Sequence, residues 1–174
     1  SKILRELFPD VPVILGGIEA SLRRVTHYDY WQDRLKPCIL KDSGADMIIY
    51  GMGEKPILQL ARELSEGRRI SEIKDIPQTV YIASKEGISG GITDKDIIIH
   101  SHEECLQNKK AEAENYRTIE EQSNMIHAQR ILQLLDGKYV VVNPPYAPMT
   151  TNEIDAIYDL PYTRLPHPKY KNKR

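Results

Sequence analysis

Val11-Pro12-Val13-Ile14-Leu15-Gly16-Gly17-Ile18-Glu19 decides the fold. A short, β-branched apolar run halted by two glycines is the pattern of a buried strand in a parallel sheet. Such a strand shows no polar alternation, because both its faces are covered. The glycines let the backbone turn sharply or approach a ligand closely. The same design recurs at Ala45-Asp46-Met47-Ile48-Ile49-Tyr50, which is closed by Gly51-Met52-Gly53-Glu54.

Outward from these two units, strand and helix signals alternate. Leu4 to Phe8 ends a helix stopped by Pro9. A helix is predicted from Glu19 to about Leu35, carrying a loose stripe of Leu22, Val25, Tyr28 and Leu35, with Pro37 interrupting it. Pro56 sits at the start of the next helix, where its missing N–H costs nothing. Ile57, Leu58, Leu60, Ala61 and Leu64 give that helix its apolar face, and Gly67 stops it. Thr79–Ala83 and Asp96–His100 read as strands, separated by a glycine turn over 87–91. Ser101 and Glu104 form a capping box. They open a long polar helix predicted to run, with or without a break, to Leu135, with Ile119, Ile126, Ile131, Leu132 and Leu135 on its buried side. Lys138–Val142 is the last strand, and a short helix is predicted around Asn152 to Tyr158.

This alternation predicts an α/β fold, with a mainly parallel sheet flanked by helices, over residues 1–143. Six of the 11 prolines fall between Pro144 and Pro168, ahead of the basic string Lys169, Lys171, Lys173 and Arg174. Residues 144–174 therefore read as a Pro-rich linker.

Bulk properties narrow the classes of function. With 174 residues, 40% hydrophobic and 28% charged, the chain suits one soluble domain. A formal net charge of -1 demands neither a nucleic acid nor an anionic membrane as partner. No apolar run approaches a membrane span, and Ser1-Lys2-Ile3-Leu4-Arg5-Glu6 has no signal-peptide core. Cys38 and Cys105 match no metal or redox spacing, so a reducing, cytoplasmic setting is expected.

In open α/β sheets, ligands bind at the carboxyl ends of the strands. Gly16, Gly17 and Glu19 lie at one such end, and Gly51, Gly53 and Glu54 at another. These six are the candidate ligand-facing or interface residues. Both glutamates belong to first helical turns, where the dipole favours a carboxylate. Gly51-Met52-Gly53 is not a dinucleotide fingerprint, because proline holds position 56. His100-x-His102-x-x-Cys105 invites a metal test, but the capping serine between the histidines makes a helix start the better reading. His27, Tyr28, Tyr30 and Trp31 form an aromatic set suited to packing or to a partner surface. No nucleophile comes with a base partner, so no catalytic residue and no metal ligand is assigned.

Four stretches carry a resemblance. Leu15-Gly16-Gly17-Ile18-Glu19-Ala20-Ser21-Leu22-Arg23-Arg24, with His27-Tyr28-Asp29-Tyr30-Trp31, resembles the YgiQ family of radical S-adenosylmethionine (SAM) proteins. Tyr50-Gly51-Met52-Gly53-Glu54 is similar to that family's second glycine turn. Asn143-Pro144-Pro145 and Asp159-Leu160-Pro161-Tyr162-Thr163-Arg164-Leu165-Pro166-His167-Pro168 resemble its approach to the catalytic core. The resemblance implies a fragment at both ends, lying before a Cys-x3-Cys-x2-Cys motif whose thiolates hold a 4Fe–4S cluster. It implies a 4Fe–4S cluster and SAM in the parent, no cofactor bound by this chain, and the parent's own radical SAM barrel as partner. It also implies a cobalamin-binding-type, Rossmann-like fold; the Asp-x-His-x-x-Gly motif for histidine-ligated cobalamin is not in the sequence. The reading is a non-catalytic N-terminal domain packing on or covering the SAM core. The alternative is a stand-alone module that binds a nucleotide or corrinoid at the glycine turns.

Overall fold

The six strands of the main sheet owe their places to period-two burial. In the computed structural model, which describes residues 1–170, they are β1 (Ile14–Leu15), β4 (Met47–Ile49), β5 (Thr79–Ala83), β6 (Ile97–Ile99), β7 (Ile131–Leu135) and β8 (Lys138–Val142). Their spatial order is β1-β4-β5-β8-β7-β6. The helices are α1 (Lys2–Leu7), α2 (Gly17–Leu22), α3 (Ile39–Ser43), α4 (Glu54–Ser65), α5 (His102–Gln107), α6 (Lys109–Ser123) and α7 (Thr151–Tyr158).

Successive strand residues point to opposite faces. Ile48, Val80, Val140, Val142, Ile131, Leu135 and Ile99 face one way and pack with Ala20, Val25, Cys38 and Leu40, and with Ile119 of α6. Met47 and Ile49 face the other way, against Leu60 of α4 and against Ile73 and Ile76. Tyr81, Leu132 and Val141 continue that second face beneath Ile88. The sheet is thus covered on both sides, and the α/β class with flanking helices stands. Fully burying one such Ile, Val or Leu contributes about 1.5–3 kcal/mol.

The pairing is mixed. β1–β4 and β6–β7 are parallel; β4–β5, β5–β8 and β7–β8 are antiparallel. The antiparallel centre follows from a segment that the sequence pattern assigns to helix. Helix α6 ends at Ser123, and Ile131–Leu135 is strand β7 rather than the end of a long helix. Asp136 and Gly137 both take positive φ, 47° and 72°, and turn β7 directly into β8 as a two-residue hairpin. The apolar run Ile131-Leu132 fits helical spacing, yet here two-faced burial in the sheet decides.

The aromatic stretch is also corrected. The predicted helix over Glu19–Leu35 stops at Leu22, and β2 (His27–Asp29) and β3 (Arg34–Lys36) form an antiparallel hairpin. Asp29 accepts a hydrogen bond from the Gln32 N–H at 2.9 Å, and Asp33 takes φ 48°. A side chain that fixes a turn in this way competes with helix. The capping box at Ser101, the Glu54–Ser65 helix and the Thr151–Tyr158 helix are where the sequence predicts them.

Past β8 the chain is held at first and then exposed. Tyr146 packs with Met47 and Leu60 and hydrogen-bonds Gln59, and Lys55 pairs with Glu153 at 2.8 Å. Residues 159–170 are exposed throughout. Lys171, Lys173 and Arg174 lie outside the described residues.

Candidate functional site

Parallel pairing of β1 with β4 places the two glycine turns side by side. A single serine then locks them together. The Ser21 hydroxyl donates to the Gly17 carbonyl at 2.8 Å and accepts from the Gly51 N–H at 3.1 Å. Gly17 and Gly51 need their missing side chains, with φ of 84° and 66°. A Cβ on Gly51 would also stand 3.4 Å from the Gln78 amide nitrogen.

Gln78 is buried at φ 63° and acts as a second lock. Its side-chain amide donates to the Tyr50 carbonyl at 2.7 Å and also to the Met52 carbonyl. Its backbone N–H donates to the Pro144 carbonyl at 2.8 Å, and its side-chain carbonyl accepts from the Tyr146 N–H at 3.3 Å. Asn143 secures the same segment from below, donating to the carbonyls of Lys74 and Ile76 and to Thr79 Oγ1. Asn143-Pro144-Pro145 is therefore tied to the second glycine turn.

Of the six candidates, Gly16, Gly17 and Glu19 are exposed, and Glu19 pairs with Arg23 at 2.7 Å. Gly53 precedes α4, and Glu54 occupies its first turn. Glu54 Oε2 is buried without a hydrogen-bond partner among the described residues. The dipole of a 12-residue helix favours a carboxylate there. The geometry brings Gly16, Gly17, Gly51 and Gly53 to one sheet end; Glu19 points its charge to solvent.

Beside the turns lies a cleft of about 260 Å³, lined by Ser21, Arg24, Tyr50, Gln122, Ile131 and Pro145 among others. Its one charged lining residue is Arg24. The guanidinium sits 5.2 Å from the Tyr50 ring centroid and donates to the Ser21 carbonyl at 2.6 Å. Burial pushes it below its ordinary pKa, Tyr50 and Glu120 opposing the shift. Burial likewise pushes the Tyr50 phenol up to about 12, so it stays neutral and donates to the Asn143 carbonyl at 2.6 Å. A second cleft, about 300 Å³, lies across Tyr50 and Gly51 between Lys55, Gln78 and residues 145–149. Sequence reasoning missed Arg24, Gln78 and Ser21 as site residues, although Arg24 stands within a quoted stretch.

His100 and His102 flank the capping serine and turn to different partners. His100 Nε2 lies 2.9 Å from Glu114, while His102 Nδ1 contacts Thr26 Oγ1 at 2.9 Å. Thr26 also donates through its N–H to Gln133 Oε1 at 2.8 Å, making a buried polar network under β7. Cys105 accepts from the Asn115 amide at 3.1 Å. Burial pushes both thiols, Cys38 and Cys105, up to about 12. The aromatic hairpin presents Tyr30 and Trp31 edge to face at 5.8 Å, both exposed.

An α/β domain with joined glycine turns at its sheet end defines the class. The chain belongs to the radical SAM N-terminal family, whose model matches residues 1–174. It is 56% identical to a UPF0313 protein of Bacteroides thetaiotaomicron, over 100% of this chain and 30% of that protein. A UPF0313 protein of Porphyromonas gingivalis is 56% identical over 99% of this chain and 27% of its own length. One from Methanocella arvoryzae is 44% identical over 97% and 27%. The chain thus spans under a third of these relatives. No solved structure matches it.

The family implies a 4Fe–4S cluster and SAM in the longer parent protein. This chain's residues do not fit the cluster: it needs several thiolates. The chain offers two cysteines, both buried and held as thiols.

Proposed function

We propose that the chain is the non-catalytic N-terminal domain of a radical SAM iron–sulfur enzyme, packing its glycine-turn face on the SAM and 4Fe–4S core. Residues 1–143 form the domain, and 144–174 lead toward that core. One observation carries the reading: apolar side chains crowd outward around the joined turns. Ile18 is 81% exposed, Leu22 67% and Met52 60%. Exposed apolar side chains grouped around a backbone-rich edge mark a surface that another protein layer covers. Gly16, Gly17, Gly51 and Gly53 allow close backbone approach there, and Glu54 stands in the first turn of α4. The partner is then the remaining sequence of a longer protein, and the setting is the cytoplasm. No helix of the described residues is long and apolar enough to cross a membrane.

The test is reconstitution with iron and sulfide. The full-length Bacteroides thetaiotaomicron relative is expected to gain cluster absorbance and to consume SAM. This chain alone is expected to do neither. Cluster absorbance in the isolated chain would sink the reading.

A further inference from the structure

We infer that the cleft beside the glycine turns binds a small molecule with an apolar body and one carboxylate, and that Arg24 receives the carboxylate. The inference goes beyond the packing role and does not depend on it.

Arg24 makes no salt bridge among the described residues; Glu120 acts on it only from beyond salt-bridge distance. Other partly buried arginines of this chain are paired: Arg5 with Asp46, Arg68 with Glu63, Arg130 with Asp96. Among the described residues Arg24 has no carboxylate within 4.0 Å. Its bonds are to the Ser21 carbonyl and, at 3.4 Å, to the Ser123 hydroxyl. A guanidinium carries five N–H donors in a planar fork that matches a carboxylate. Donors therefore remain for a ligand.

The walls describe the rest of that ligand. Ile119, Ile131, Val142 and Pro145 are apolar, and the Tyr50 ring lies against the guanidinium. Gln122 does not compete, because its side-chain carbonyl already accepts from the Gln129 N–H at 2.8 Å. One charge inside a mostly apolar hollow, beside the carboxyl ends of β4 and β8, is the usual make-up of a small-ligand site. Desolvation of Arg24 raises the gain from pairing.

The experiment titrates this chain with benzoate and with benzamide, which share a shape and differ in charge. Binding is read from the Arg24 side-chain NMR resonances. Benzoate is expected to shift them and to bind at least about tenfold more tightly than benzamide. Arg24→Gln is expected to remove that preference. Ala128→Phe, which blocks the cleft and leaves Arg24 in place, is expected to abolish binding of both. Equal affinity for the two probes, no binding of either, or benzoate binding that survives both substitutions overturns the proposal. Should the variants fail to fold, the benzoate-to-benzamide ratio on the unsubstituted chain still decides. The same titration on a full-length protein carrying this stretch separates two sources of carboxylate. Retained binding supports a free ligand. Lost binding means that the remaining sequence occupies or closes the cleft, and overturns the proposal.

Discussion

Asn143→Ala removes a clamp under the second glycine turn, and its cost can be worked from three distances. The side-chain amide donates to the Lys74 carbonyl at 3.0 Å, the Ile76 carbonyl at 2.9 Å and Thr79 Oγ1 at 3.0 Å. Truncation does not orphan all three. The Thr79 hydroxyl still donates to the Ile76 carbonyl at 2.6 Å. The Lys74 carbonyl, only partly buried, loses its protein partner and turns to water. One lost neutral bond plus one weakened acceptor comes to about 2 kcal/mol. For a domain of this size that lowers Tm by about 4–8 °C. Asn143→Asp should be worse, above about 3 kcal/mol, because it points a carboxylate at the same oxygens. Urea and thermal unfolding followed by far-ultraviolet circular dichroism give both values. A loss below about 0.5 kcal/mol for alanine, or a milder effect for aspartate than for alanine, would refute the reasoning.

Three further outcomes follow from the same geometry. Gly51→Ala should cost about 1–2 kcal/mol through its left-handed backbone, whereas Gly16→Ala, at φ -149°, should be nearly silent in the same unfolding assay. Arg130→Met leaves the buried Asp96 carboxylate without its bidentate partner, at 2.8 and 2.7 Å, and should cost about 3 kcal/mol in urea unfolding, with Arg130→Lys recovering part. Burial holds His102 below its ordinary value of 6.5. The folded state then binds fewer protons than the unfolded chain, so stability should fall as pH drops through about 6.5, and His102→Gln should flatten that slope in pH-dependent melting.

The sequence made some parts of this fold legible because local and tertiary demands agree there. At Ile14–Leu15 and Met47–Ile49 the apolar run, the glycine stop and the two-sided burial point the same way. At Ser101 the capping box is purely local, so it is readable without neighbours. Ile131–Leu135 was hidden because a short apolar run satisfies helix and strand alike; the Asp136-Gly137 dipeptide was the available sign of a hairpin. The His27–Lys36 hairpin was hidden because aromatic residues at helical spacing mimic an amphipathic face. The candidate site was half legible. Glycines advertise close backbone approach, so Gly16, Gly17, Gly51 and Gly53 could be found. Ser21, Gln78 and Asn143 could not, since their roles rest on partners 26 or more positions away. Arg24 was readable as a residue of a resembling stretch, but its lack of a salt-bridge partner exists only in three dimensions.

Amide hydrogen exchange on the glycine turns tests the central claim most directly. It is measured on this chain alone and on a full-length protein carrying it. Slower exchange is expected for residues 16–22 and 50–55 in the full-length protein, with the exposed α6 residues Ala113, Tyr116 and Arg117 unchanged. Equal exchange at the turns in both proteins would contradict it.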